Sequence, residues 1–262
     1  MSTPTLSLTR PSERSRRLLL RALPAASVVA VITLWQLGGT VLANPQVLPG
    51  PLAAATAAWQ LMQNGSLFAD IAASLTRVIE GWLLALAIAI PLGGAMGRSE
   101  ALRRVFGTLI ELVRPIPPIA MVPIAILWFG IGWASQLFIV CYGAFFPMVI
   151  GIYDAFRNVD QLYEQAARSL GVHGVALFRR VVVMAALPTV ISSMRIGLGL
   201  AFVSLVAAEL IAASTGLGAL IANSRVTFQT DQMLVGMITI GVVGFVLGWI
   251  MRRIEEYFLK WR

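Results

Sequence analysis

The 262-residue chain is 58% hydrophobic and only 12% charged, with a mean hydropathy of +0.83. Soluble domains carry about a quarter charged residues, so a soluble enzyme or binding domain is excluded and a polytopic, all-α membrane protein is implied. A net charge of +8 suggests nucleic acid, but the basic residues punctuate hydrophobic spans as the positive-inside rule requires, which leaves the lipid bilayer and no nucleic acid as the partner.

Met1 to Arg21 holds Arg10, Arg14, Arg16, Arg17 and Arg21 among Ser, Thr and Pro and reads as a cytoplasmic tail (1–21) before one membrane domain (22–262). Ala22 to Leu42 is apolar and long enough to cross a ~30 Å hydrocarbon core. A secretory signal peptide is the rival reading; the span is long for one and no clean small-x-small site follows, so a retained first helix is expected. Asn44 to Asn64, with Pro45, Pro49, Gly50 and Pro51, reads as an external loop with a short surface helix. Asp70, Ser74 and Arg77 lead into a second span, Val78 to Met96, where Gly93 and Gly97 would let another helix approach closely.

Arg98, Glu100, Arg103 and Arg104 mark a return to the cytoplasm. The next hydrophobic stretch is interrupted by Glu111, Arg114, Pro115, Pro117, Pro118 and Pro123. Proline removes a backbone donor and disfavours helix before it, so this span must be broken, and broken backbone in a bilayer survives only when buried in protein or lining a cavity. A link over Gly130 to Ala134 precedes the fourth span, Ser135 to Ile152.

Tyr153 to Arg195 is a polar island. Within it Leu162, Tyr163, Ala166, Ala167 and Leu170 recur at three- and four-residue spacing and share one helical face. Asp160 suits the N-cap and Gly171 the left-handed position past the last turn. A second short amphipathic helix is expected from Gly174, with Leu177, Phe178, Val181, Val182 and Ala185 as its stripe. The pair reads as a docking surface outside the bilayer.

Ile196 to Ala213 is the fifth span and contains Glu209; Ser214 to Gln232 is an external loop containing Gly216 and Gly218. Met233 to Met251 is the sixth span, with Gly244 and Gly248 as a small-residue pair. Six spans with both termini inside leave only Arg77 and Arg225 of twenty basic residues outside.

A P-loop needs a lysine on the phosphates, and Lys260 is the only lysine. His173 is the only histidine, so no His cluster for a metal arises, and Cys141 has no intrachain disulfide partner. Gly130 and Gly132 lack the third glycine of a dinucleotide fingerprint. An intramembrane enzyme would rest on Glu209, Glu111 and Arg114 alone.

The polar island resembles the cytoplasmic coupling loop of bacterial ABC-importer permeases: Ala166, Ala167 and Gly171 stand in register with its pattern, with Gln165 at the usual glutamate and Glu164 one place earlier. Ile110 to Pro118, Leu127 to Gly132, Arg195 to Gly199, Val206 to Ala213 and Gly216 to Gly218 are similar to permeases for taurine, alkanesulfonates, nitrate and bicarbonate, nearest to the taurine type. The resemblance covers about residues 70–232, with the coupling loop at 153–195.

The resemblance implies a type I importer permease fold with cytoplasmic termini in the bacterial inner membrane. It further implies a second permease copy, two cytoplasmic ATPases that bind ATP and Mg, an extracytoplasmic solute-binding protein, and no cofactor on this chain. It assigns ATPase coupling to Tyr163, Glu164, Gln165, Ala166, Ala167, Leu170 and Gly171. The translocation path or gate is expected at Arg114, Pro117, Trp128, Phe129, Ser204, Glu209, Gly216 and Gly218. Plainer roles stand beside these: the prolines as a structural kink, Gly216 to Gly218 as a turn, Trp128 and Phe129 as interfacial anchors, Glu209 as a buried carboxylate holding that turn. A secondary transporter would be expected to show inverted repeats or several intramembrane ionisable groups, and a scaffold has no need of a broken span.

Overall fold

The computed structural model of the chain describes residues 27, 29–31, 33–39 and 49–259. The expected tail, most of the first span, Lys260 and Arg262 lie outside the described residues. Residues 27–39 are helical where described, and the Trp35 indole donates to the Pro49 carbonyl at 3.1 Å.

The described residues form helices and no strand. After α1 (Pro51–Gln63) comes α2 (Ser66–Arg98), whose 33 residues make a rod of about 50 Å at 1.5 Å per residue. The span expected from Val78 thus begins a dozen residues earlier. The chain then bends: α3 (Glu100–Val113) and the segment Pro118–Phe129, a 3₁₀ turn followed by α4 (Val122–Phe129), meet at 86°. This is the break the prolines predict. α5 (Trp133–Arg157), α6 (Gln161–Ser169) and α7 (Gly174–Leu177) follow.

Here the structure corrects the expected second amphipathic helix. From α7 the chain passes through one wide turn, Phe178–Val182, directly into α8 (Val183–Ala212). The expected stripe and the fifth span are one continuous helical path, with Pro188 inside it. Membrane helices tolerate such a proline because neighbouring groups resatisfy the freed carbonyl. The Ser214 to Gln232 loop likewise contains a helix, α9 (Leu217–Val226), before α10 (Thr230–Phe258).

Among the described residues, four helical segments are long and apolar enough to cross a membrane, and the bent pair taken as one span makes a fifth. The sixth expected span is Ala22 to Leu42. The core is a layer of α2, α5 and α8. Val78, Ala85 and Ala89 of α2, Val140, Ala144, Met148 and Ile152 of α5, and Ala201 and Leu205 of α8 are all fully buried. Lipid offers no hydrophobic drive between helices, so close packing through small residues must hold this layer. A Cβ at Gly93 would come within 2.8 Å of the Val149 carbonyl, and one at Gly97 within 2.7 Å of Phe156, so both expected glycines do this work. Of the later pair, Gly244 faces Phe202, whereas Gly248 has nothing within 4 Å. A smaller core of Ala57, Leu61, Leu67, Leu217 and Val235 joins α1, α9 and α10 to the start of α2.

Candidate functional site

Chemistry-bearing residues gather at the two ends of this layer and at the break between α3 and α4. At one end projects α6. The Asp160 carboxylate accepts from the Leu162 amide at 2.9 Å, capping its first turn. Its last turn closes with Val172 N–H on the Ala167 carbonyl and Gly171 N–H on that of Arg168, both at 3.0 Å, with Gly171 at φ +79°. Sequence and structure agree on both caps.

On α6, Tyr163, Ala166 and Leu170 face outward, Leu170 being 83% exposed, with Ala167 half-buried beside them. Tyr163 and Ala166 form one wall of an apolar groove whose other wall is Val181, Met184, Ala185 and Pro188. Glu164 points elsewhere. Its carboxylate takes the Arg98 guanidinium at 2.7 Å and Arg168 at 3.6 Å, and its side chain is only 13% exposed. The Arg98 hydrogen bond holds the Glu164 carboxyl below the usual carboxylate range. Glu164 therefore ties α6 to the end of α2, apart from the face that carries Tyr163, Ala166 and Leu170. Gln165 remains exposed. At the same end Arg195 meets Glu255 at 2.9 Å, joining α8 to α10.

At the break, the Tyr142 hydroxyl lies 3.1 Å from the carbonyls of both Val113 and Ile116; a continued helix would set Val113 against Pro117, which has no N–H, and its carbonyl takes the Ile116 amide at 3.0 Å instead. Pro117 is exposed at the turn, in extended conformation. Trp128 and Phe129 pack edge-on and tilted against Phe138, which continues along α5 as Tyr142 and Phe146. They stay 62% and 50% exposed. Arg114 ends α3 beside a cavity of about 350 Å³. Ser204 is 4% exposed, and a Cβ on Gly143 would sit 2.0 Å from its hydroxyl, so it stands at a close contact between α5 and α8.

At the opposite end a polar clasp closes the layer. Glu209 of α8 is fully buried and receives Arg77 at 2.8 Å, Ser74 at 2.8 and 2.9 Å, and the Gly218 amide at 2.9 Å. The Leu217 amide donates to the Ser74 hydroxyl and the Gly216 amide to Asp70. Arg77 also reaches the Thr215 carbonyl and hydroxyl, each at 2.7 Å. A buried network of this kind is stable only when every member is satisfied, and this one is. It answers both readings of Glu209 at once: the carboxylate holds the turn and pairs with a base. Arg114 lies in the other half of the molecule and takes no part. Asp70, Ser74 and Arg77 were legible as a polar stripe at i, i+4 and i+7 of one helix, yet nothing in the sequence named Glu209 as their common partner.

Residues 83–260 match the family described as the binding-protein-dependent transport system inner membrane component. The chain belongs to this family. It is 39% identical to an ABC transporter permease protein of Methanocaldococcus jannaschii, over 92% of this chain and 91% of that one. The taurine transport system permease protein of Escherichia coli is 33% identical, covering 91% and 89%. The riboflavin transport system permease protein of Chloroflexus aurantiacus is 30% identical, covering 98% of each. The inward-facing methionine ABC transporter MetNI superposes with a TM-score of 0.63 over 71% of this chain and 92% of that one, at 18% identity, which speaks for the fold alone.

The chain is thus a multi-pass ABC importer permease of the taurine and alkanesulfonate branch, with the all-α fold its sequence implied. It is a transport subunit and no enzyme; in this family ATP hydrolysis sits on a separate chain. Membership implies ATPase and binding-protein partners and a dimeric permease in general terms.

Proposed function

We propose that the chain carries a small sulfonate, taurine or a close analogue, from an extracytoplasmic binding protein across the bacterial inner membrane. In this reading two copies form a homodimer with the path between them, both termini are cytoplasmic, and two ATPases holding ATP and Mg dock on α6. The chain itself holds no cofactor. The observation that carries the docking reading is the outward face of Tyr163, Ala166 and Leu170 on a short capped helix whose orientation Glu164 fixes through Arg98. The alanines let a partner approach closely. The Arg98 tie and the continuous path from α7 into α8 would pass a displacement of α6 to α2 and α8 together.

At the outer end, the clasp around Glu209 fixes the turn before α9 and serves as a gate element. Support for the solute comes from likeness to the taurine permease; the riboflavin permease is the rival within the same set of relatives. The test is ATPase activity of the reconstituted complex with its binding protein, challenged with taurine, ethanesulfonate, riboflavin, nitrate and bicarbonate. Stimulation by the sulfonates alone is expected. Stimulation by riboflavin alone would overturn the solute, and no stimulation by any would overturn the importer assignment.

A further inference from the structure

We propose that the cavity between α3 and α5 is an anion site at the coupling-helix mouth of the transport path, taking a sulfonate, carboxylate or phosphate group through Arg103, Arg114 and Arg157. Its orientation toward the cytoplasm rests on the importer reading; its chemistry does not.

The first support is the way α3 faces. Leu102, Val105, Leu109 and Leu112 of α3 point away from the rest of the chain, with exposures of 36 to 75%. Arg103, Glu111 and Arg114, on its other side, line the cavity against Tyr153 and Arg157 of α5. An amphipathic helix of a soluble protein does the reverse, leucines inward and charges out. Ile110 alone of this helix is buried against the core, and the charges border the open cleft above it, so a membrane helix built this way has water on its cleft side.

The second support is the charge. Arg103, Arg104, Arg114 and Arg157 line the cavity. Arg103 and Arg104 share one carboxylate, Glu100, and Glu111 adds one more, which leaves a surplus of two positive charges. Arg114 has no ion-pair partner among the described residues. The Tyr153 hydroxyl accepts from Arg157 of its own helix, and Arg103 lines the same cavity from α3, so guanidiniums of two helices border it. Planar guanidiniums converging on a cleft fit the paired oxygens of sulfonate, carboxylate or phosphate. The volume, about 350 Å³, is at the small end of the ~300–1,000 Å³ of small-molecule sites.

A solute ion and an anionic lipid headgroup offer the same chemistry, so the experiment must separate them. Thr108, which lines the cavity, is replaced by Cys in a Cys141→Ala chain, and the intact transporter is placed in phosphatidylcholine nanodiscs. Labelling rates are compared for a sulfonate-bearing and a trimethylammonium-bearing methanethiosulfonate, each normalised to a free thiol. A like-signed cleft raises local counter-ion concentration about 10-fold or more, so a rate ratio of that order is expected. Arg114→Gln should lower the ratio several-fold and Arg114→Lys should largely keep it. A Cys at Asn64, at the other end of the molecule, should label alike in both, which separates lost charge from lost fold. Slowing by millimolar ethanesulfonate identifies a free anion as occupant. Slowing only when phosphatidylglycerol is added keeps the anion site and makes its occupant a lipid. A ratio near one, or one that Arg114→Gln does not move, overturns the proposal. Failure of sulfonates to stimulate the ATPase would fall on the function proposed above and leave this ratio untouched.

Discussion

The Arg77 guanidinium lies 2.8 Å from the Glu209 carboxylate across 132 residues of sequence, and the carboxylate is fully buried while the arginine is 13% exposed. A charge in an apolar helix is tolerated when it faces protein and is paired. Here one carboxylate also takes the Gly218 amide and the Ser74 hydroxyl, while Arg77 takes the Thr215 carbonyl. α2, α8 and the turn before α9 therefore move as one piece or not at all. Any rearrangement that parts α2 from α8 at this end must first open the clasp.

Removing one member of a buried pair costs about 3–5 kcal/mol, because the other charge is left behind. The two single variants should differ. Arg77→Gln strands a carboxylate at full burial, whereas Glu209→Gln leaves an arginine that keeps Thr215 and some water. Arg77→Gln is expected to be the more destabilising in thermal unfolding of the detergent-solubilised chain, with the double variant milder than the sum. In the assembled transporter Glu209→Gln should raise ATPase activity without solute or abolish its stimulation. Equal stability of the two single variants, or normal coupling in Glu209→Gln, would remove the clasp from the mechanism.

Gly216 offers a test that leaves both charges in place. Its φ is +114°, and an added Cβ would sit 2.3 Å from Glu209 Oε1. Strain at such a backbone costs on the order of 1–3 kcal/mol, and the clash adds to it because the buried carboxylate is held by Arg77, Ser74 and the Gly218 amide and moves only by loosening them. Gly65, at φ +76° with nothing within 4 Å, carries strain alone. Gly216→Ala should lower the unfolding temperature more than Gly65→Ala. The reverse order would mean that the turn is not held against Glu209.

Local features of this chain were readable because local chemistry fixes them. Asp160 and Gly171 bracket α6 as expected, since a cap needs only its own turn. The prolines from 115 to 123 broke the helix for the same reason. The burial of Ser204 depends on Gly143, sixty-one residues away, and no periodicity reports that. Spacing puts Glu164 on α6, but its direction is set by Arg98 on another helix, which no local pattern reports. The mixture of charged and apolar residues up to Arg195 reads as loop in the sequence. Yet nothing between Val183 and Arg195 stops a helix once neighbours cover Pro188.

Gly171 has φ +79° and open space around it, so a substitution there costs backbone strain without collision. A β-branched side chain resists this conformation most, and Gly171→Val should lose about 1–3 kcal/mol locally. Asn tolerates the left-handed region, so Gly171→Asn should be close to neutral. The readout is solute-stimulated ATPase activity and co-purification of the ATPase. Unchanged assembly and activity in Gly171→Val would sink the docking role of α6.

Glu164 supplies a prediction in pH. Its carboxyl is held below the usual range chiefly by the Arg98 hydrogen bond, with Arg168 adding attraction. A depressed carboxylate contributes stability that is complete above its unfolded value, about 4.3, and is lost as pH falls through the lower folded value. The tie should therefore be constant between pH 8 and 5 and fail only in stronger acid. Its size should be about 1 kcal/mol or less and should shrink with salt, because the Arg98 side chain is 38% exposed. Hydrogen exchange over residues 161–169, corrected for the intrinsic pH dependence, measures it. The native chain should lose protection of α6 below about pH 4, while Glu164→Gln should lack that protection at every pH and show no acid step. An acid step of the same size in Glu164→Gln would assign the titration to another group and remove Glu164 as the strut between α6 and α2.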